Sequence, residues 1–154
     1  MVNEKSIGLL NKVIEVNNDR IEGSDTALRE TEESDLRTLF SQLTQTSEEC
    51  KKQLRKEVLK LGGTPVVGTT TGGMLFSIWR NVRSALSRQD HIAILNAFED
   101  GENVAVDAYK KVLKTSLDLT TRQRILLHTQ LQVIGNDRDK VRELRDKMVL
   151  QNIH

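Results

Sequence analysis

Four long segments of this 154-residue chain space their core-type side chains alternately three and four residues apart. This spacing is typical of a helix whose one face packs against other helices. The first segment shows it over the series Ile7, Leu10, Ile14, Asn17, Ile21, Ser24 and Leu28. We therefore predict long helices over residues 5–31, 33–61, 89–116 and 120–150, with a short extra helix over 74–86.

The composition agrees with an all-α fold and argues against other classes of protein. Pro65 is the only proline and aromatic residues make up 3% of the chain, which does not suit a β-sandwich or barrel. The 23 basic and 22 acidic residues leave a net charge of +1, so we expect no nucleic-acid partner. Cys50 is the only cysteine and cannot form an intramolecular disulfide. Without an apolar stretch of roughly 20 residues or an apolar signal core near the start, we expect a cytoplasmic protein and no membrane partner.

Residues that typically start and stop helices support these bounds. Ser34 is predicted to cap the second helix, and the Gly62-Gly63 pair is predicted to end it. Thr120 and Gln123 have the spacing of a capping box, so the last helix is predicted to begin there.

The lengths of the connections predict the topology. The short turns near residues 32 and 118 favour antiparallel neighbours. The connection over residues 62–88 must instead cover the length of a helix, which is about 40 Å for 27 residues. We therefore predict an all-α, ferritin-like four-helix bundle, residues 1–154 as a single domain, with a long crossover between the second and third long helices.

Each long segment is interrupted by polar residues near its midpoint. The interrupting residues, with neighbours that can reach inward, are Asn17, Glu22, Ser24, Ser47, Cys50, Glu102, Gln130, Asp137 and Arg138. Because the midpoints of antiparallel helices meet at one level, the sequence predicts a polar layer across the bundle. A buried carboxylate requires a partner, so we expect Glu102 to be buried with Arg138 as its cation, and Glu22 or Asn17 close by.

Ferritin-like di-iron proteins bind their metals between the same helices, which makes a metal site the alternative to a salt-bridged layer. Such a site needs one glutamate from each of two helices and a Glu-x-x-His from each of the others. Glu22 and Glu102 are candidates for the single glutamates. The second segment has Ser47-x-x-Cys50 and the last has Gly135-x-x-Arg138, so both histidine-bearing arms are missing. We therefore expect no metal, no cofactor and no catalytic residue, and Cys50 as a small apolar filler.

Several stretches of the chain resemble a known family. They are LLNKVIEVNNDRIEG (9–23), LRTLF (36–40), LRKEVLKLGG (54–63) and FEDGENVAVDAYKKVL (98–113). They are similar to a bacterial ferritin-like family described only as a four-helix-bundle domain of unknown function. The resemblance covers nearly the whole chain. It implies the ferritin-like fold and no particular activity.

The predicted crossover contains apolar side chains that bear on function, namely Val66, Val67, Leu75, Phe76 and Trp79. An apolar patch on a connection indicates a second copy or a protein partner, and the alternative is that the segment packs over the edge of the bundle. Two functions remain open. One is a non-catalytic bundle that acts by association, with stress physiology as one setting. The other is a metal-binding or oxidase-like ferritin relative with a degenerate di-metal site, which the missing Glu-x-x-His pairs disfavour.

Overall fold

The structure, a computed structural model, describes residues 2–70 and 73–153. These residues form five α-helices and no strand: α1 (Val2–Glu30), α2 (Ser34–Lys60), α3 (Gly73–Ser87), α4 (His91–Lys114) and α5 (Thr121–Ile153). A single 3-10 turn, Ser116–Asp118, precedes α5. The prediction of an all-α chain is confirmed, and the predicted helix bounds agree to within a few residues. None of the described helices has the length and apolar character that crossing a membrane requires.

The ends of the helices follow the predicted signals in two cases out of three. Gly62 adopts a left-handed φ of 81° after α2, which glycine tolerates without a steric penalty. Thr120 and Gln123 form the capping box, because each side chain accepts a hydrogen bond from the other residue's backbone N–H, at 3.1 and 2.9 Å. The prediction for Ser34 is wrong. Glu33 caps α2 instead, its carboxylate accepting the N–H of Leu36 at 2.8 Å.

The four long helices pack in neighbouring pairs around a divided core. Helix α1 packs along α2 and α4 along α5, while α1 also contacts α4 and α2 contacts α5. The shorter α3 lies against α4 and α1. One apolar cluster includes Leu10, Leu54, Tyr109 and Leu127. The other includes Leu36, Phe40, Ile94, Phe98 and Val141.

The connecting segment, residues 61–70, is attached to α1 by three side chains of that helix. Asn11 accepts the N–H of Val66 at 3.0 Å and donates to the carbonyl of Thr64 at 3.2 Å. Asn18 donates to the carbonyl of Gly68 at 2.9 Å. The Asp19 carboxylate accepts both the N–H and the hydroxyl of Thr70. The path of this segment is therefore determined by polar residues on α1.

Candidate functional site

The centre of the molecule is an arginine held by two carboxylates. The guanidinium of Arg20 on α1 is fully buried, and its Nε donates to both oxygens of Glu102 at 3.2 and 3.1 Å. Its Nη2 donates to Asp137 on α5 at 2.9 Å and its Nη1 donates to the amide oxygen of Asn17 at 2.9 Å. The Thr46 hydroxyl on α2 also donates to Asp137, at 2.5 Å. Arg20, Glu102 and Asp137 thus form an ion triad that joins α1, α4 and α5, and Thr46 connects α2 to it.

A chain of hydrogen bonds extends from the triad through the rest of the polar layer. The side-chain amide of Asn17 donates to the hydroxyl of Tyr109 at 2.8 Å, and that hydroxyl donates to Gln130 at 2.7 Å. Gln130 donates in turn to the backbone carbonyl of Cys50 at 3.2 Å and to the side chain of Gln53 at 2.9 Å. The triad and this chain together form the polar layer, which lies between the two apolar clusters. Its buried polar groups are satisfied by one another, which is the condition for stable burial.

Burial and charge act together on the titratable groups of the polar layer. Burial tends to lower the pKa of Arg20, but the carboxylates of Glu102 and Asp137 raise that pKa above its usual range. Burial raises the pKa of Glu102, and the Arg20 charge opposes the shift. Burial also raises the pKa of Cys50 to about 11 and the pKa of Tyr109 above its usual range. The layer therefore contains a permanent cation, a protonated thiol and a protonated phenol at neutral pH.

The structure brings together some of the predicted layer residues and separates others. The residues that are buried in the layer are Asn17, Ser24, Ser47, Cys50, Glu102, Gln130 and Asp137. Glu22 instead lies at the surface, where its side chain is 56% exposed and 3.6 Å from Arg83. Glu22 and Glu102, the two candidate metal ligands, therefore do not lie in one site.

The cation of the triad is Arg20, and the expectation that Arg138 would pair with Glu102 is wrong. Arg138 points toward the edge of the α4–α5 contact, donating to Asn103 at 3.4 Å and lying 3.6 Å from Asp139. Its position next to Asp137 on the helix turns it away from the centre, since successive residues on a helix are about 100° apart.

Arg20 is absent from the predicted layer because the predicted buried face of the first helix is rotated by one residue from the observed face. From Val13 the same three-and-four spacing continues through Asn17, Arg20, Ser24 and Ala27, and all of these residues are buried. The predicted series instead includes Ile21 and Leu28, which are only partly buried. The sequence does contain a signal for Arg20, because it lies three residues after Asn17 and four residues before Ser24, and both of these are polar residues of the predicted series.

No metal centre is formed by the described residues. Among residues 2–70 and 73–153, no three or more His, Cys, Asp and Glu side chains are grouped so that they can hold an ion. Two oxygen-bearing groups do meet at the centre, Glu102 and Asp137, but Arg20 lies between them. The cation that these two carboxylates share is therefore the guanidinium of Arg20.

The apolar residues predicted for partner contact are distributed differently from the expectation. Val67 is 85% exposed. Val66 packs partly against the first apolar cluster, and Trp79 packs partly against the second, with its ring 5.4 Å from that of Phe98. Leu75 and Phe76 lie outside the residues whose side chains the structure describes.

Part of the chain matches a known family. Residues 5–115 match the family described as Domain of unknown function (DUF2383). The protein belongs to this family. The matched range includes Arg20 and Glu102, whereas α5 with Gln130 and Asp137 lies beyond it. The search of curated proteins found no match. The family description assigns no activity, so function has to be argued from the polar layer and the surface.

Proposed function

We propose that this protein is a non-catalytic, ferritin-like helical bundle that acts by association with a second copy of itself. In this proposal the four helices of the bundle are α1, α2, α4 and α5. The connecting segment and α3 belong to its crossover. The ion triad takes the place that two metal ions have in ferritin-like di-iron proteins. Its role is to fix which helix faces meet.

The observation that carries the proposal is the environment of Arg20. A guanidinium remains protonated in proteins and donates in fixed directions. Here its Nε, Nη1 and Nη2 each have an acceptor, and those acceptors come from three helices. A metal ion at this position would have to displace a cation that cannot lose its charge. The carboxylates of Glu102 and Asp137 are therefore committed to an internal partner.

The other titratable groups of the layer favour a structural role as well. A catalytic thiol or phenol normally has its pKa lowered toward neutrality by a neighbouring base or cation. Burial instead raises the pKa of Cys50 to about 11, and the pKa of Tyr109 rises for the same reason. Neither group supplies a nucleophile near neutral pH.

The surface offers one end of the molecule for self-association. Ser6 donates to the carbonyl of Asp118, and Arg122 donates to Glu57 at 2.8 Å, so the start of α1, the end of α2 and the start of α5 lie together. Three exposed apolar side chains lie at this end, which we name the apolar end: Leu59, Leu117 and Ile125, with exposed fractions of 58%, 94% and 61%. Exposed apolar patches mark protein–protein interaction sites, so we assign the self-association to this end.

Metal analysis tests the first half of the proposal. We expect less than about 0.1 iron or manganese ion per chain after incubation with excess metal and desalting, since the triad leaves no vacant ligands. The matched variants are Glu102→Ala, at the triad, and Glu32→Ala, at an exposed position. Binding of about two ions per chain, lost in Glu102→Ala and kept in Glu32→Ala, would establish the metal-binding alternative instead.

Sedimentation velocity tests the second half. We expect a dimer or larger species at concentrations of about 10–100 μM, which is within the range of weak homomeric contacts. The double variant Leu117→Asp/Ile125→Asp should shift the protein to a monomer. Leu150→Asp is the control, because Leu150 is 62% exposed near the other end of the molecule, where Lys147 pairs with Asp35. A monomeric wild-type protein over this range would refute self-association.

A further inference from the structure

A cavity of roughly 140 Å³ lies between α1, α3 and the connecting segment, apart from the polar layer. Asp19, Glu22 and Gly23 of α1, Thr70 of the connecting segment, and Trp79 and Arg83 of α3 line it. An engineered protein cavity of about 150 Å³ binds benzene. The space therefore fits one six-membered ring or an aliphatic group of similar size.

The buried charge of the cavity is negative. Asp19 is 3% exposed, and its carboxylate is held by Thr70, whose N–H lies 3.2 and 3.3 Å and whose hydroxyl lies 2.5 Å from its oxygens. The charged groups that act on Asp19 most strongly are the carboxylates of Glu22 and Glu15. No ion pair joins Asp19 to a cation within the described part of the chain. An isolated buried carboxylate is costly, and a bound cation would remove that cost.

The basic residues that line the cavity, Arg80 and Arg83, are exposed, and neither forms an ion pair with Asp19 within the described part of the chain. Arg83 is 72% exposed and lies 3.6 Å from Glu22, which is itself largely exposed. Charges in contact with solvent act through a high effective dielectric, which weakens their effect on a buried group. A cation that reached Asp19 would therefore meet a buried negative charge, after passing the exposed charges of Glu22, Arg80 and Arg83.

Trp79 supplies an aromatic side chain to the lining of the same cavity. The six-membered ring of Trp79 lies over Gly23 so closely that a Cβ on that residue would be 2.3 Å from Cζ3. The indole Nε1 is buried and finds no hydrogen-bond partner among the residues that the structure describes. A carboxylate and an aromatic ring that line one cavity are a combination that proteins use to bind organic ammonium ions, through ion pairing and cation–π attraction together.

We propose that this cavity binds a small organic ammonium ion, with its charge at Asp19 and its apolar body against Trp79. The chemical class is a primary amine with one ring or a short aliphatic body. Glycine at position 23 is part of the site, because it lets the indole lie close to α1. The proposal is independent of self-association and of the metal content of the polar layer.

Fluorescence titration with benzylammonium tests the proposal directly. Trp79 is the only tryptophan of the chain, so its emission reports on this cavity alone. We expect a saturable change with a dissociation constant on the order of 1 mM, as suits a ligand of this size. Benzyl alcohol, which has the same ring and no charge, should bind at least about tenfold more weakly. Equal affinity for the two compounds, or no saturable change up to about 20 mM benzylammonium, would overturn the proposal.

Two charge-removing variants on α1 separate the cavity from the general charge of the helix. Asp19→Asn should weaken benzylammonium binding by at least about tenfold, since an amide retains the shape and the acceptor oxygen but not the charge. Asp25→Asn removes the same charge from a half-exposed residue paired with Arg29 and should change the affinity by less than about twofold. Equal loss in both variants, or unchanged binding in Asp19→Asn, contradicts the assignment. Should Asp19→Asn prove unfolded by circular dichroism, the pair of ligands on the wild-type protein still decides the question.

Discussion

Two successive residues of α1, Asp19 and Arg20, are both buried charges, yet they lie in opposite situations. Arg20 points into the polar layer, where Glu102, Asp137 and Asn17 accept from it. Asp19 points toward the connecting segment and the cavity, where Thr70 is its partner. Burial of a charged residue therefore does not by itself mark a binding site. What distinguishes the two places is whether the protein supplies the opposite charge.

The titration behaviour of the two residues follows from that difference. The carboxylates around Arg20 more than offset the effect of burial, so its pKa lies above the usual range. Burial raises the pKa of Asp19 from 3.8 to about 6, and the hydrogen bonds from Thr70 only partly oppose the shift. Arg20 is therefore a permanent structural charge, whereas Asp19 changes its charge near physiological pH. We expect the two regions to respond to mutation in correspondingly different ways.

The largest effect is expected at the ion triad. Arg20→Met should lower the free energy of unfolding by about 3–5 kcal/mol, because Glu102 and Asp137 are then buried together without a cation. Urea unfolding followed by circular dichroism measures the change. Arg29→Met is the matched control, since Arg29 is 69% exposed and its loss should cost no more than about 0.5 kcal/mol.

A second measurement assigns the loss to the triad itself. In a double-mutant cycle of Arg20→Met with Glu102→Gln, we expect a coupling free energy of at least about 1 kcal/mol. The double variant should be more stable than the sum of the two single losses predicts. Equal stability of Arg20→Met and Arg29→Met would mean that the triad contributes nothing to the fold.

The next largest effect is expected where α1 meets Trp79. A Cβ added at Gly23 would lie 2.3 to 2.7 Å from three atoms of the indole ring. Gly23→Ala must therefore displace Trp79, at a cost of about 1–3 kcal/mol from overpacking, against a gain of about 1 kcal/mol in helix propensity. We expect net destabilisation and a shift in tryptophan emission. A more stable variant with unchanged emission would show that the indole moves away freely.

The pH dependence of stability should reveal Asp19. Because its pKa is about 6 in the folded protein and 3.8 in the unfolded chain, the folded state binds the proton more tightly. The resulting stabilisation is complete below the lower value and is lost as the pH rises through about 6. Glu15 and Glu22 reinforce this shift, while Arg80 and Arg83, which also line the cavity, are exposed.

The measurement compares the wild-type protein with Asp19→Asn, which cannot titrate at this position. Between about pH 4 and pH 7.5, the stability of the wild type relative to the variant should fall by about 1 kcal/mol, allowing for solvent screening beside an open cavity. Asp25→Asn gives the baseline for a half-exposed carboxylate. A relative stability that rises with pH would mean that Thr70 stabilises the ionised form more than burial opposes it.

The parts of the fold that depend on local pattern could be predicted from the sequence. Periodicity located the helices, and the Thr120–Gln123 pair located the start of α5, because both signals act within a few residues. The burial of Glu102 and Asp137 followed from their places on apolar faces. The partner of Glu102 did not, since choosing Arg20 over Arg138 depends on the rotation of each helix about its axis.

The cavity could not be predicted for a different reason. Asp19 and Thr70 are 51 residues apart, and Thr70 belongs to a segment with no periodic pattern of its own. The path of that segment depends on Asn11, Asn18 and Asp19, which the sequence presents as ordinary polar residues of a helix surface. Their hydrogen bonds to residues 64–70 form only when that segment is folded against α1, so no local sequence pattern predicts them.

The smallest expected effect comes from a second helical glycine, and it sharpens the contrast between the two regions. Gly135 lies on α5 near Asp137, and a Cβ there would have no heavy atom within 4 Å. Gly135→Ala should therefore stabilise the protein by about 0.5–1 kcal/mol through helix propensity alone. Urea unfolding beside Gly23→Ala is the measurement. Changes of opposite sign in the free energy of unfolding of the two variants would show that the packing of Trp79 requires Gly23. They would also show that the polar layer does not require Gly135. If Gly135→Ala also destabilised the protein, the α5 side of the polar layer would be packed more tightly than the structure indicates.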